Sequence, residues 1–133
     1  MDCVLAIDPG RVNCGIAVVR QDGSALLHRI VGTGDIISEV RNALIAHIPR
    51  ALVIGDGTGS KSLLTELRHA GIAVPIVVVN ESHTSEAARL RFVTANAARG
   101  WQRLLPRGLR TPDRPYDDYV ALILAERWWN SAP

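Results

Sequence analysis

Cys3-Val4-Leu5-Ala6-Ile7-Asp8-Pro9-Gly10 opens the chain. Five apolar residues in a row, with no polar alternation, describe a central strand buried on both faces. The run ends at Asp8-Pro9-Gly10. Asn13–Arg20 reads as a second strand, Gln21-Asp22-Gly23-Ser24 as a turn, and Ala25–Val31 as a third strand returning from it. Strands joined by such short turns are antiparallel.

Beyond these strands the period changes. Ile36, Val40, Ala43, Leu44 and His47 form one stripe, which predicts a helix over Asp35–His47 stopped by Pro49. Ala51–Ile54 is a strand running into Gly55-Asp56-Gly57-Thr58-Gly59-Ser60. A helix follows over Lys61–Ala70, with Leu63, Leu64 and Leu67 inward and Gly71 as stop. Val74–Val79 is a further strand ending at Asn80-Glu81; Pro75 lies near its start, where a missing N–H is tolerated. Thr84 to about Ala98 is helical, residues 99–115 are irregular, and a last helix spans about Tyr116–Trp129. The order is β-β-β-α-β-α-β-α-α. The expected fold is α/β: a mixed five-stranded sheet, three strands antiparallel and then parallel crossovers, with helices on both faces.

The chain has 133 residues, which suits a single domain over 1–133. No apolar run reaches the ~18 residues of a membrane helix. Met1-Asp2-Cys3-Val4 lacks the basic stretch of a signal peptide, so the expected location is cytoplasmic, with no membrane partner. Cys3 and Cys14 read as buried thiols in neighbouring strands, and no Cys/His cluster has zinc spacing. Net charge is only +2, so bulk charge does not announce a nucleic-acid binder. Its distribution says more. Of 15 basic residues, 14 are Arg and one is Lys61. Seven Arg lie between Thr84 and Tyr116 against two acids, Glu86 and Asp113. The planar guanidinium bonds two phosphate oxygens at once; a solvated Arg-rich face is the competing reading.

Three acids fall at related places. Asp8 ends the first strand, Glu81 lies just past the last strand, and Asp117 opens the last helix. Ligands of α/β proteins sit at the carboxyl ends of parallel strands. Alternation puts Val4, Ala6 and Asp8 on one face. Val120, Ala121, Leu124 and Trp128 follow Asp117 at helical spacing, so Asp117 is expected to face the sheet and Asp118 to lie nearer the stripe's edge. A carboxylate aimed at a core is costly unless neutralised, and a hard divalent cation does so. Two such ions, roughly 3.5–4 Å apart, support phosphodiester hydrolysis. Taken singly, each acid has an ordinary reading: a strand-ending turn, a surface acid, a complement to the helix dipole.

Asp8-Pro9-Gly10-Arg11-Val12-Asn13-Cys14-Gly15-Ile16-Ala17-Val18 resembles the opening hairpin of the YqgF/RuvX family, relatives of RuvC Holliday-junction resolvases in the ribonuclease H-like superfamily. Leu52-Val53-Ile54-Gly55-Asp56-Gly57 resembles its strand and glycine loop. Val78-Val79-Asn80-Glu81-Ser82-His83-Thr84-Ser85-Glu86-Ala87 resembles its Val-Asp-Glu-Arg-x-Thr-Thr-x-Glu-Ala segment. Asp117-Asp118-Tyr119-Val120-Ala121-Leu122-Ile123-Leu124-Ala125-Glu126 resembles its final helix. The resemblance spans almost the whole chain in matching order. It implies a ribonuclease H-like fold, with Asp8, Glu81 and Asp117 as catalytic metal ligands and Asp118 as rival to Asp117. It also implies Mg²⁺ or Mn²⁺, two ions, and either maturation of the 5′ end of 16S ribosomal RNA or cleavage of branched DNA. The chain departs from the family where Asn80 and Ser82 replace its Asp and Arg, and where Asp56 adds an acid.

The expected activity is therefore a metal-dependent nuclease on structured nucleic acid, RNA favoured over branched DNA. Arg11, Lys61 and the 99–115 segment would hold the backbone. In that segment Trp101 interleaves with Arg99, Arg103, Arg107, Arg110 and Arg114, so Arg grips phosphate while Trp stacks on a base; alternatively Trp101, Leu104 and Leu105 pin the segment to the core. The loop Gly55–Ser60 before Lys61 is a candidate phosphate grip, without P-loop spacing. His28, His47 and His69 have no partner pattern and read as structural. His83 reads as a helix-flanking residue. Trp128 and Trp129 call for a cover, either a strand edge or a homodimer contact. Two other classes compete. An actin-like or sugar-kinase ATPase needs two lobes, and this length supplies one. A catalytically silent nucleic-acid-binding module is motivated by Asn80 and Ser82.

Overall fold

β1 (Cys3–Asp8) is paired at both edges, to an antiparallel neighbour and to a parallel one, and both its faces are buried, which is why its sequence shows no polar alternation. The computed structural model describes residues 2–57, 59–80 and 117–131, with the backbone alone at 117 and 131. After β1 come β2 (Asn13–Arg20), β3 (Ala25–Gly32), a 3-10 turn (Thr33–Asp35) and α1 (Ile36–His47). Then follow β4 (Leu52–Gly55), α2 (Ser60–His69), β5 (Ile76–Val79) and α3 (Asp117–Ser131). The sheet order is β3-β2-β1-β4-β5, with β1, β2 and β3 antiparallel and β1, β4 and β5 parallel. This is the mixed sheet expected from the sequence.

Alternation divides the core into two. Cys3, Leu5 and Ile7 join Cys14, Ile16 and Val18 beneath Ile36 and Val40 of α1 and Leu63 and Leu67 of α2. Val4 and Ala6 join Ala17, Val19 and Val53 beneath α3. Ala6 and Ala17 are paired across β1 and β2, and share a cluster with Ala121 and Ala125 of α3. Small side chains on both sides let the helix lie close to the sheet. Full burial of Leu5, Ile7, Ile16, Leu52 and Ile54 stabilises the fold by about 1.5–3 kcal/mol each. Cys3 and Cys14 are both buried free thiols, as expected.

The structure differs from the sequence reading in detail. β5 begins at Ile76 and not at Val74, because Pro75 has no N–H to give; its carbonyl accepts from the Leu52 N–H at 2.8 Å and starts the ladder. The Trp128–Trp129 pair is covered from within the chain. The Arg50 guanidinium lies 5.5 and 5.7 Å from the two ring centres, and Trp129 Nε1 donates to the Val19 carbonyl at 3.2 Å. The expected helix over 84–98 and the segment 99–115 lie outside the described residues. Among those described, no helix is long and apolar enough to cross a membrane.

Candidate metal centre

Asp8 is the last residue of β1 and pairs with Gly15. Because Val4 and Ala6 pack beneath α3, alternation turns Asp8 to the α3 side, where it is half-buried. The turn that follows leaves little freedom. A Cβ on Gly10 would stand 2.1 Å from the Asn13 carbonyl oxygen, so only glycine fits there. Thr33 clamps the same turn from the end of β3: its Oγ1 donates to the Gly10 carbonyl at 2.9 Å and its N–H to the Val12 carbonyl at 2.8 Å. Nothing in the sequence pattern singles out Thr33, because its partners, two backbone carbonyls and the Cys14 thiol, are 19 to 23 positions away.

The parallel strands end in line. Ile7 pairs with Ile54, and Gly55 pairs with Val79, so Asp8, Gly55 and Val79 stand level across three adjacent strands. Two strand spacings, roughly 10 Å, separate Asp8 from Val79. Asp56 follows β4 directly, and its N–H donates to the Val79 carbonyl at 3.1 Å. Arg127 of α3 reaches the end of β5 and donates to the Asn80 carbonyl at 2.9 Å. Glu81, the next residue, lies outside the described residues. So do Arg99, Trp101, Arg103, Arg107 and Arg110.

α3 begins at Asp117, whose side chain is likewise outside the description. Asp118 departs from its expected place at the edge of the helix stripe. It is 1% exposed and turned to the sheet. His28 Nδ1 donates to its Oδ2 at 2.9 Å, and the Tyr119 ring meets His28 edge-on with centroids 5.5 Å apart. His28 therefore has a partner that sequence spacing did not disclose. It stands opposite Ala17, which stands opposite Ala6, so it lies two strands across from β1 and two residues below Asp8.

Arg11 and Lys61 are both exposed, Arg11 in the turn after β1 and Lys61 in the first turn of α2. In the glycine loop, Gly59 adopts φ +88° and packs against Pro9 and Gly10. The Ser60 N–H is taken by the Gly57 carbonyl at 3.2 Å and the Leu63 N–H by the Gly59 carbonyl at 3.1 Å, which leaves fewer donors for a phosphate than the sequence suggested.

Among the described residues, no three His, Cys, Asp or Glu converge on one point. Among the described residues, the carboxylates of Asp8 and Asp118 lie on the α3 side with His28 beside Asp118, while Cys14 packs on the opposite face. Carboxylate oxygens suit a hard divalent cation.

No family model and no curated protein matches the chain. Solved structures do. The architecture is the ribonuclease H-like fold, in the form found in RuvC. Thermus thermophilus RuvC in complex with a Holliday junction substrate superposes with a TM-score of 0.59 at 20% identity, over 94% of this chain and 90% of that one. A second Thermus thermophilus RuvC structure gives a TM-score of 0.57 at 21% identity, over 92% and 90%. At such identity the likeness establishes the fold.

Proposed function

We propose that this chain is a divalent-metal-dependent nuclease acting on structured nucleic acid. The observation that carries the reading is Asp8, set at the carboxyl end of the central strand and facing α3 within a RuvC-type sheet. Asp8 and Glu81 would hold the metal from the ends of β1 and β5, on either side of β4. Asp117 would take the third place, with Asp118, which faces the sheet beside His28 on β3, as its rival. Mg²⁺ or Mn²⁺ there would polarise the phosphate and lower the pKa of a bound water. Lys61 would pair with the phosphates that flank the cleaved bond, and Arg11 would contact the nucleic acid from the turn after β1.

Branched DNA is the substrate we favour. The support is the neighbour bound to a Holliday junction, which matches over nearly the full length of both chains. Precursor ribosomal RNA is the second reading, carried by the motif resemblance around Asp8 and Glu81. Cleavage of a labelled four-way junction, a linear duplex and precursor 16S rRNA, each with Mg²⁺, Mn²⁺ or chelator, separates the two. Asp8→Asn must abolish the activity found. Cleavage that persists with chelator or in Asp8→Asn refutes the metal assignment.

A further inference from the structure

A pocket of about 230 Å³ opens on the other side of the Asp8–Gly10 turn from α3. Its floor is apolar: Pro9, Cys14, Ile36 and Leu63, all buried. Its rim is polar: Arg11 from the turn after β1, and Ser62 and Glu66 from α2, all exposed. Ser62 and Glu66 are four residues apart on α2 and so share its pocket face. Among the described residues, no ion pair engages Arg11 or Glu66.

Sites for drug-sized ligands measure roughly 300–1,000 Å³. This one is smaller, the size for one flat ring system with its polar edge at the rim. A carboxylate and a guanidinium at the rim of such a pocket complement a ring that carries adjacent donors along one edge and acceptors along another. Guanine is such a ring. Its N1–H and N2–H are adjacent donors for the two oxygens of a carboxylate, and its O6 and N7 accept from arginine. Adenine has no N1–H, and cytosine and uracil each present one donor group to a carboxylate.

We propose that this pocket takes a single guanine base, turned out of the nucleic-acid strand held at Asp8. Pro9 and Gly10 follow Asp8 directly, so the pocket lies across the turn from the Asp8 carboxylate, and a base seated there would come from a strand bound at this end of the sheet. Enzymes that pull a base from its stack read its pairing edge by hydrogen bonds in a pocket. The identity of the strand as the source rests on the nuclease reading; the guanine chemistry of the pocket does not.

The test uses the full chain without divalent metal. Guanosine 5′-monophosphate is titrated while the amide signals of Cys14, Thr33 and Leu63 are followed by NMR. An oligonucleotide with one guanine, and its counterpart with inosine, which lacks the N2 amine, are then bound in parallel. The guanine nucleotide is expected to shift those amides saturably. The guanine strand should displace it and bind about tenfold more tightly than the inosine strand. Glu66→Gln should erase that ratio, and Ser62→Trp, an exposed change at the rim, should block the amide shifts. Equal affinity for guanine and inosine strands overturns the proposal, even if metal-dependent cleavage is found. Nucleotide binding that no strand displaces overturns the strand as source. Base-selective strand binding without cleavage under any divalent metal supports the pocket and defeats the nuclease reading alone.

Discussion

His28 Nδ1 donates to Asp118 Oδ2 across 2.9 Å, and this bond fastens the edge strand β3 to the first turn of α3. Its existence depends on one extra residue. Val18 pairs with Leu27 but Val19 with Ala25, so Leu26 is a bulge in β3. Counting back from the turn without that bulge would set His28 opposite Ile16, on the α1–α2 side. The bulge sets it opposite Ala17, beneath α3.

His28→Ala removes a hydrogen bond to a buried carboxylate. We expect a loss of about 1–3 kcal/mol in urea unfolding, together with reduced cleavage of whichever nucleic acid proves to be the substrate. Deleting Leu26 removes the bulge but leaves Leu27 opposite Val18 and His28 opposite Ala17, so the bond should persist in that variant. Unchanged stability in His28→Ala would show that the bond contributes nothing.

Gly10→Ala drives a methyl group to within 2.1 Å of the Asn13 carbonyl oxygen. The turn must open, and Asp8 with it. The expected cost is at least about 2 kcal/mol, measured by thermal unfolding. Thr33→Val removes only the hydroxyl bond to the Gly10 carbonyl and should cost about 1 kcal/mol. A tolerated Gly10→Ala would mean that this turn is not held as described.

Ile48 closes α1 with φ +49°, a left-handed conformation that a β-branched residue adopts at a cost of about 1–2 kcal/mol. It is 81% exposed, so its side chain returns little by burial. Ile48→Gly relieves the strain, partly offset by the greater freedom of glycine in the unfolded chain. A net gain of about 0.5–1 kcal/mol is expected. A lower melting temperature would contradict it.

Arg50 covers Trp128 and Trp129 and also contacts Asp2 at 3.4 Å. Arg50→Ala should lower stability by about 1 kcal/mol and red-shift the tryptophan emission. Asp2→Ala should change neither, because that ion pair is exposed.

Burial raises the Cys3 thiol above its ordinary value, and the negative charge of Asp2 adds to the effect. The protonated thiol is thus the form the fold prefers. Its contribution is fully present below the unfolded value of about 8.5 and is lost as pH rises through the higher folded value. Urea unfolding compared between about pH 8 and about pH 10 should show a larger loss in the native chain than in Cys3→Ala. Equal losses would exclude Cys3 as a source of alkaline instability.

The sequence by itself determined the sheet. Unbroken apolar runs in Cys3–Ile7 and Leu52–Ile54 mark strands buried on both faces, and helical spacing between the later strands makes them parallel crossovers. It also determined where Asp8 stands, because period-two alternation within one strand is a local property that Val4 and Ala6 already set. Register and rotation between elements are not local. Which face carries His28 depended on a bulge at Leu26 that no residue type announces. That Asp118 meets the sheet depended on how α3 rolls over Ala6 and Ala17, a matter of packing over residues more than a hundred positions apart. A hydrophobic pattern fixes what is buried to within a helical turn, but one residue is a rotation of 100° in a helix and a change of face in a strand, and only tertiary contacts resolve that difference.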